Sequence, residues 1–301
     1  MSSHHPREGG FRVGAVVGVL DECELIEPCV AHLRAAGVAR IVISDYGSTD
    51  GTLERVAALQ GPDLTVVHTR SDEWRTFAEW GQREAALIRD IDADWVMFID
   101  ADEFPIARTG SIADCVTSGL DVLFLRRFNV PLTDAGPQWP NAFDQSTLDK
   151  LLLCTLTVPD FRAYVEENQG APFAQVAPDV KVMVRPEMVV SLAGGHHDAE
   201  LSAPGRRGAS NELVIAHVPF TTPARFARKV QNIRAEMQQH PSTFQDGMCW
   251  HWSRWVSLDD AGRLDEEFDR QVLHEESLAR ARRTGAVQSA AEWFELAARH
   301  N

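Results

Sequence analysis

Residues 11–52 read FRVGAVVGVLDECELIEPCVAHLRAAGVARIVISDYGSTDGT. The stretch opens on a valine-rich apolar run over 11–20, passes through helical periodicity over 26–36 and returns to a β-branched run over 40–44 before a Gly/Ser/Thr turn. Working outward, the pattern predicts a helix over 50–59, a strand over 64–68, a long helix over 76–90 and a strand over 95–99. The order is therefore βαβαβαβ. Strands joined by helices of this length run parallel with helices on both faces, so the expected fold class is α/β, a mostly parallel sheet flanked by helices. In such a sheet a ligand lies beyond the carboxyl ends of the strands. The polar residues that directly follow each strand should converge there: Asp21 and Glu22, then Asp45, Gly47, Ser48 and Thr49, then Arg70 and Asp72, then Asp100, Asp102 and Glu103. This is an acidic set with little fixed positive charge among its members.

A further strand is expected over 122–126. The pattern then turns irregular from about 129 to 178, where Pro131, Pro137, Pro140, Pro159 and Pro172 punctuate it. Strands return over 180–184, 188–192 and 213–218, followed by helices over 223–240, 264–283 and 290–299. The expected organisation is a disordered tail over 1–10, an α/β domain over 11–222 carrying the irregular insertion, and a helical C-terminal extension over 223–301. Long irregular segments near a ligand crevice often act as binding loops.

Composition narrows the function classes. Lys and Arg number 29 against 44 Asp and Glu, a net charge of −15 that repels a phosphate backbone in the absence of a basic cluster, so nucleic acid is not an expected partner. No apolar run approaches the ~20 residues of a membrane-spanning helix. The first ten residues lack an apolar core behind a basic start, so no secretory signal and a cytoplasmic location are expected. The five cysteines, Cys23, Cys29, Cys115, Cys154 and Cys249, form no CxxC pair and read as free thiols.

Two segments carry chemistry. In WVMFIDADEF, residues 95–104, an apolar strand ends in three carboxylates within four positions. Crowded carboxylates raise one another's pKa unless a cation compensates, and hard oxygen donors suit Mg²⁺ or Mn²⁺. The alternative is a solvated acidic turn that caps the next helix. In ISDYGSTDGT, residues 43–52, a strand enters a turn that opens a helix; its backbone amides and small residues suit a nucleotide's ribose or phosphates. Asp45 would accept hydrogen bonds from a base imide or a ribose hydroxyl, Asp72 joins the nucleotide contacts, and Ser48 contributes to the same turn. Capping of the helix by Ser48 or Thr49 is the alternative.

Together these segments resemble the GT-A glycosyltransferases of family 2, in the branch whose motifs read DNGSTDGT and DWxxFxDADEF. The opening DECELIEP over 21–28 is similar to that branch's entry, IAHVPF over 215–220 with PARFARK over 223–229 resembles its HxPxxS…FxxK segment, and Trp250-His-Trp252 resembles its downstream aromatic pair. The match is close over 11–104 and poor in the middle of the chain, and Tyr46 stands where the branch has Asn or Asp.

The resemblance implies a GT-A, Rossmann-like sheet and transfer of a sugar from a nucleotide-sugar donor, a UDP- or GDP-sugar, to an acceptor hydroxyl with inversion. It places Asp100 and Asp102 at the DxD positions, the second acid binding Mn²⁺ or Mg²⁺ and the first contacting ribose or a metal-bound water. It makes Asp45 the acid that holds the base. His217 falls at a third metal-ligand position, where the alternative is a core histidine, and Arg83 at a cation near the nucleotide, where the alternative is a solvent-facing helix residue. For the catalytic base, Asp198 and then Glu200 in GGHHDAE, residues 194–200, are the candidates, with an ordinary surface turn as the alternative; His196 and His197 touch phosphate or pack. Trp250, Trp252 and Trp255 form either a sugar platform or core. Two other function classes share parts of this pattern. A sugar nucleotidyltransferase normally has a Gly-rich, basic loop after the first strand, where this chain has LDECE at 20–24. A non-catalytic binding module does not need the Asp100/Asp102 pair.

Overall fold

A computed structural model describes residues 10–69, 74, 76–140, 145–156, 162–164, 172–176, 178–241 and 249–299. Strand β1 (Val13–Val19) is buried along its whole length and lies at the heart of the sheet. Helix α1 (Ile26–Ala35) carries the chain back to β2 (Val38–Asp45), α2 (Thr52–Ala58) to β3 (Leu64–His68), and α3 (Phe77–Arg89) to β4 (Trp95–Asp100). These elements follow the sequence pattern closely.

Beyond β4 come β5 (Glu103–Ala107), β6 (Val122–Asn129), β7 (Leu132–Thr133), β8 (Leu152–Cys154), β9 (Lys181–Val184), β10 (Val189–Leu192), β11 (Ala199–Leu201), β12 (Arg207–His217), β13 (Val272–Leu273) and β14 (Val287–Ser289). The main sheet has eight strands in the order β3-β2-β1-β4-β9-β6-β12-β5. Strands β3, β2, β1, β4, β6 and β12 run one way; β9, between β4 and β6, and β5, at the edge, run the other way. The mostly parallel α/β sheet is the expected one.

Alternation along the strands builds two cores. Val13, Ala15, Val17, Trp95, Met97 and Ile99 pack with α1 and with Trp293 and Phe294 of the Ala290–Ala298 helix. Val16, Val96 and Phe98 face the other way, onto Ala85 and Ile88 of α3 and the β10–β11 hairpin. Gly81 permits that second contact: a β-carbon there would lie 2.0 Å from the carbonyl oxygen of Leu192. A third cluster joins Phe220, Phe226, Val230, Trp255 and Phe268 from the C-terminal helices.

Three expectations need correction. The acidic tip at 100–104 does not run into a loop or helix but into β5, whose Pro105 sits on the sheet's edge strand, where a missing N–H is tolerated. The pattern predicts no helix between 240 and 264, yet one runs over Trp250–Asp260. The single helix expected over 264–283 is two, Leu264–Asp269 and Glu275–Arg283, with β13 between them paired to β7. Buried Gln271 holds the break, donating to Glu267 O at 2.9 Å and accepting from Phe173 N at 2.6 Å.

All five cysteines are free thiols. Among the described residues no helix is long and apolar enough to cross a membrane.

Candidate functional site at the carboxyl ends of the central strands

The chain runs β1, β2, β3 to one side and then crosses to place β4 on the other side of β1, so the strand order reverses between β1 and β4. Ligands of open α/β sheets gather at such a point. Register brings the acids there: Asp45 lies beside Val19, and Asp100 beside Gly18. A side chain at Gly18 would meet the rings of Phe98 and Tyr46 and lie 3.5 Å from Asp100 Oδ1, so the glycine leaves space next to the carboxylate. On the far half of the sheet, Glu103, His217 and Asn129 line up across β5, β12 and β6.

The acidic strand end is not short of positive charge. Asp100 Oδ2 accepts from Lys181 Nζ at 2.9 Å. Glu103, fully buried, accepts from Arg127 Nη1 and from the backbone N of Asp100, and lies 3.2 Å from Lys181 Nζ. Asp102 Oδ2 accepts from Arg225 Nη2 at 2.9 Å and Lys229 Nζ at 3.0 Å. Arg225 also grips both oxygens of Glu22, at 2.7 and 2.9 Å. Four acids thus meet four cations. The cation that crowded carboxylates are expected to need is supplied here by lysine and arginine side chains, which corrects the expectation of little fixed positive charge at this strand end. Burial alone would raise the Asp102 carboxyl, but Lys229, His217 and Arg225 more than offset it and hold it well below the usual range. For Glu103, too, burial is outweighed, by Lys181 and Arg127.

Of these cations, Lys181 and Arg127 leave no local signal: an isolated Lys heads the apolar strand KVMV, and an Arg closes an apolar run. Arg225 and Lys229 do leave one, a basic pair spaced i, i+4 directly after an apolar strand end. The Pro223–Gln239 helix that carries them starts on a capping bond from Arg225 N to Thr222 Oγ1, with Pro223 in its first turn. Its next residues reach β1, where Asn232 Nδ2 donates to Asp21 Oδ2 at 3.1 Å.

His217 is the second notable group. Its Nδ1 lies 2.7 Å from Asn129 Oδ1, and the Asn129 amide is oriented by donating to the carbonyls of Phe173, Ala174 and Val176. An amide oxygen only accepts, so Nδ1 carries the proton. Burial lowers the His217 pKa, with Asp102 opposing. The other ring nitrogen, Nε2, lies 3.6 Å from Asp102 Oδ2. A metal-ligating histidine is held in this way, its other N–H given to an oxygen behind it.

Among the described residues no three His, Cys, Asp or Glu side chains converge as a ready cage. Mg²⁺ and Mn²⁺ commonly need only one or two protein carboxylates when substrate phosphates complete the shell. The buried carboxylate of Asp102 is a donor of that kind, with His217 Nε2 3.6 Å from it, and the two fit such a cation.

The β2 turn is laced to the loop after β1. Asp45 accepts from Gly47 N at 3.2 Å and Ser48 N at 3.0 Å, with His68 Nδ1 at 3.4 Å. Ser48 Oγ accepts from Asp21 N, Asp21 Oδ1 from Thr49 N, and Asp50 from Cys23 N and Thr52 N. The amides of Gly47, Ser48, Thr49 and Thr52 are thus spent inside the turn, contrary to the expectation that they face phosphate. Asp45 and Asp50, together with Asp21 from the loop after β1, take them, as short acidic side chains in turns do.

Arg83 is exposed on α3, and its neighbour Glu84 is fully buried. Burial pushes Glu84 up to about 7, against the pull of Tyr46 and Arg83. Asp72 lies outside the described residues. Asp198 is exposed and pairs with Arg207, and its neighbour His197 lies against Val180 O at 2.7 Å. Glu200 is exposed on β11, opposite Ser191. His196 packs against Phe98 with ring centroids 3.6 Å apart, and Trp255 is core.

No family model and no curated protein matches the chain. Among solved structures it is similar to glucosyl-3-phosphoglycerate synthase from Mycobacterium tuberculosis in complex with Mn²⁺ and UDP-glucose, at 16% identity over 78% of this chain and 80% of that one, TM-score 0.35. It is similar also to GalNAc-T7 with UDP, GalNAc and Mn²⁺, at 11% identity over 71% and 44% of the two chains, TM-score 0.41. HddC from Yersinia pseudotuberculosis gives 10% identity over 66% and 89%, TM-score 0.36. At scores this low the likeness carries no argument about activity.

Proposed function

We propose that the chain is a glycosyltransferase of GT-A type that moves a sugar from a nucleoside diphosphate donor to an acceptor hydroxyl, in a single inverting displacement. The observation that carries this reading is the Asp102–His217 pair. It is a buried carboxylate and a histidine Nε2 3.6 Å apart, at the carboxyl ends of β4 and β12. The family 2 resemblance of the flanking motifs supports it.

In this reading Asp102 and His217 hold Mn²⁺ or Mg²⁺, with Asp100 beside them. When bound, the cation supplies a Lewis acid for the negative charge that grows on the leaving diphosphate. Asn129 keeps His217 in the ligating tautomer. Arg225 and Glu22 fix the Asp102 carboxylate so that it does not reorganise during reaction, and such preorganisation is commonly the largest catalytic contribution. Asp100, with a side chain 48% exposed, is the acid that faces outward to a ribose or a bound water. The turn of Asp45 and Ser48, rigid through its internal bonds, forms the wall on the nucleotide side, and Arg83 stands on the neighbouring helix.

The test is incubation with Mn²⁺ and a panel of UDP- and GDP-sugars. Slow release of nucleoside diphosphate without acceptor is expected for at least one donor, and chelation should stop it. Consumption of nucleoside triphosphate and sugar phosphate instead, or inertness towards every donor together with failure to bind either diphosphate, rejects the proposal.

A further inference from the structure

We infer that Lys229 is a displaceable counter-ion: it rests on Asp102 while the site lacks a divalent cation, and turns onto the donor's diphosphate when that cation takes Asp102 in its place. The inference rests on the glycosyl-transfer reading of the same crevice and adds to it a named diphosphate-binding residue.

The two cations on Asp102 Oδ2 are held very differently. Arg225 has a side chain 4% exposed, gives Nε and Nη2 to the two oxygens of Glu22, and gives Nη1 to Pro219 O at 3.2 Å. It cannot leave without stranding a buried carboxylate. Lys229, one helical turn further on, has a side chain 29% exposed, and Asp102 is its one hydrogen-bond partner among the described residues. If it swings away, Asp102 keeps Arg225. Among the described residues two of its ammonium N–H groups have no acceptor to give up.

Charge supplies the driving force. Glu22, Asp100, Asp102 and Glu103 balance Lys181, Arg127, Arg225 and Lys229 in contact with them. A divalent cation arriving at Asp102 leaves this neutral set with two surplus positive charges. Lys229 is the member least tied down, and a diphosphate at the same crevice brings the negative charge that its ammonium then meets. A compact point charge on a flexible stem suits that transfer better than a planar guanidinium. Cation and diphosphate are thereby coupled through one side chain, each raising the affinity of the other.

The experiment titrates the full chain by calorimetry, first with Mn²⁺ alone and then, at saturating Mn²⁺, with uridine or guanosine diphosphate, whichever the wild type binds more tightly. Wild type, Lys229→Met and Lys229→Arg are compared, with a melting curve of each as the fold control; Lys229→Gln replaces a methionine variant that fails to melt cooperatively. Competition from the ammonium scales the apparent Mn²⁺ affinity by the fraction of time Asp102 is free of Lys229. Lys229→Met should therefore bind Mn²⁺ alone on the order of tenfold more tightly. The same variant should bind the diphosphate about tenfold more weakly, a loss that Lys229→Arg recovers in part. Unchanged or weaker Mn²⁺ binding in Lys229→Met overturns the inference, as does undiminished diphosphate binding, and either result leaves the glycosyl-transfer reading standing. Absence of Mn²⁺-dependent diphosphate binding in the wild type removes that reading and this inference together.

Discussion

Replacing Asp102 by Asn separates the two jobs the structure gives this residue. The amide keeps the shape and one acceptor oxygen but loses the charge that Arg225, Lys229 and His217 all face. Breaking a buried ion pair costs about 3–5 kcal/mol. The low end applies here, because Arg225 retains both oxygens of Glu22 and Lys229 is partly exposed. A loss of about 3 kcal/mol in chemical denaturation at neutral pH is expected, with the cooperative transition retained. For binding, an outer partner of a metal ligand is worth roughly 10–100-fold in metal affinity, so loss of the carboxylate itself should exceed that range. Calorimetry with uridine or guanosine diphosphate, with Mn²⁺ and then with chelator, reads the effect: the Mn²⁺ enhancement should vanish in Asp102→Asn, while the weak affinity measured in chelator should not fall, since Lys229 is released. A variant that keeps the full Mn²⁺ enhancement would falsify the assignment of Asp102 as a ligand. A stability loss below about 1 kcal/mol would contradict the ion-pair accounting.

Three further outcomes follow from the same geometry. Arg225→Met should destabilise by about 3–5 kcal/mol in urea, and adding Glu22→Gln should recover part of that loss; strictly additive losses would mean the two residues are not coupled. Burial pushes His32 down from 6.5 to about 4, so the unfolded chain takes up a proton in that interval that the folded chain refuses, and this residue's own share of the stability should fall by about 1.4 kcal/mol per unit of pH decrease between those values. Asp102 and Glu103, held low in the fold, add their own loss only at lower pH, below the unfolded carboxylate range. His32→Gln should remove one histidine's share of the upper slope, and an unchanged denaturation profile from pH 6.5 to about 4 would count against the buried neutral ring. Gly81→Ala, despite its gain in helix propensity, should lower the melting temperature, because the new methyl meets the Leu192 carbonyl at 2.0 Å and such overpacking costs about 1–3 kcal/mol. A variant as stable as wild type would mean that α3 and β10 are free to move apart.

Residues 11–69 and 76–100 were legible because β1 and β4 are buried on both faces, β2 and β3 are β-branched runs, and their connections are helices, so each element announces itself within its own span. Strand β5 did not: Glu103-Phe-Pro-Ile-Ala107 is short, begins with an acid and contains a proline, and only its place at the sheet edge reconciles these. The break between the Leu264–Asp269 and Glu275–Arg283 helices was hidden for a related reason, since it is made by Gln271 and by pairing with a strand some 140 residues earlier in the chain. At the site, the acids at 100–103 stand together in the sequence and were readable. Their partners at 127, 181, 225 and 229 come from two strands and a helix that meet only in the folded chain. The turn at 45–50 misled in the opposite direction, because its acidic residues consume the amides that its glycines and hydroxyls advertise.

Lys181 has a consequence for how the chain finds its fold. It heads β9, the strand that runs against its neighbours and joins the β1–β4 block to the β6–β12 block, and its ammonium sits between Asp100 and Glu103 with 1% of the side chain exposed. A slip of β9 by one residue would turn that ammonium to the opposite face, into hydrocarbon, and leave Asp100 without its counter-ion and Glu103 with Arg127 alone. The seam between the halves is thereby proofread: misaligned pairings of an otherwise featureless apolar strand are rejected by a single charge, and only one docking of the two blocks survives.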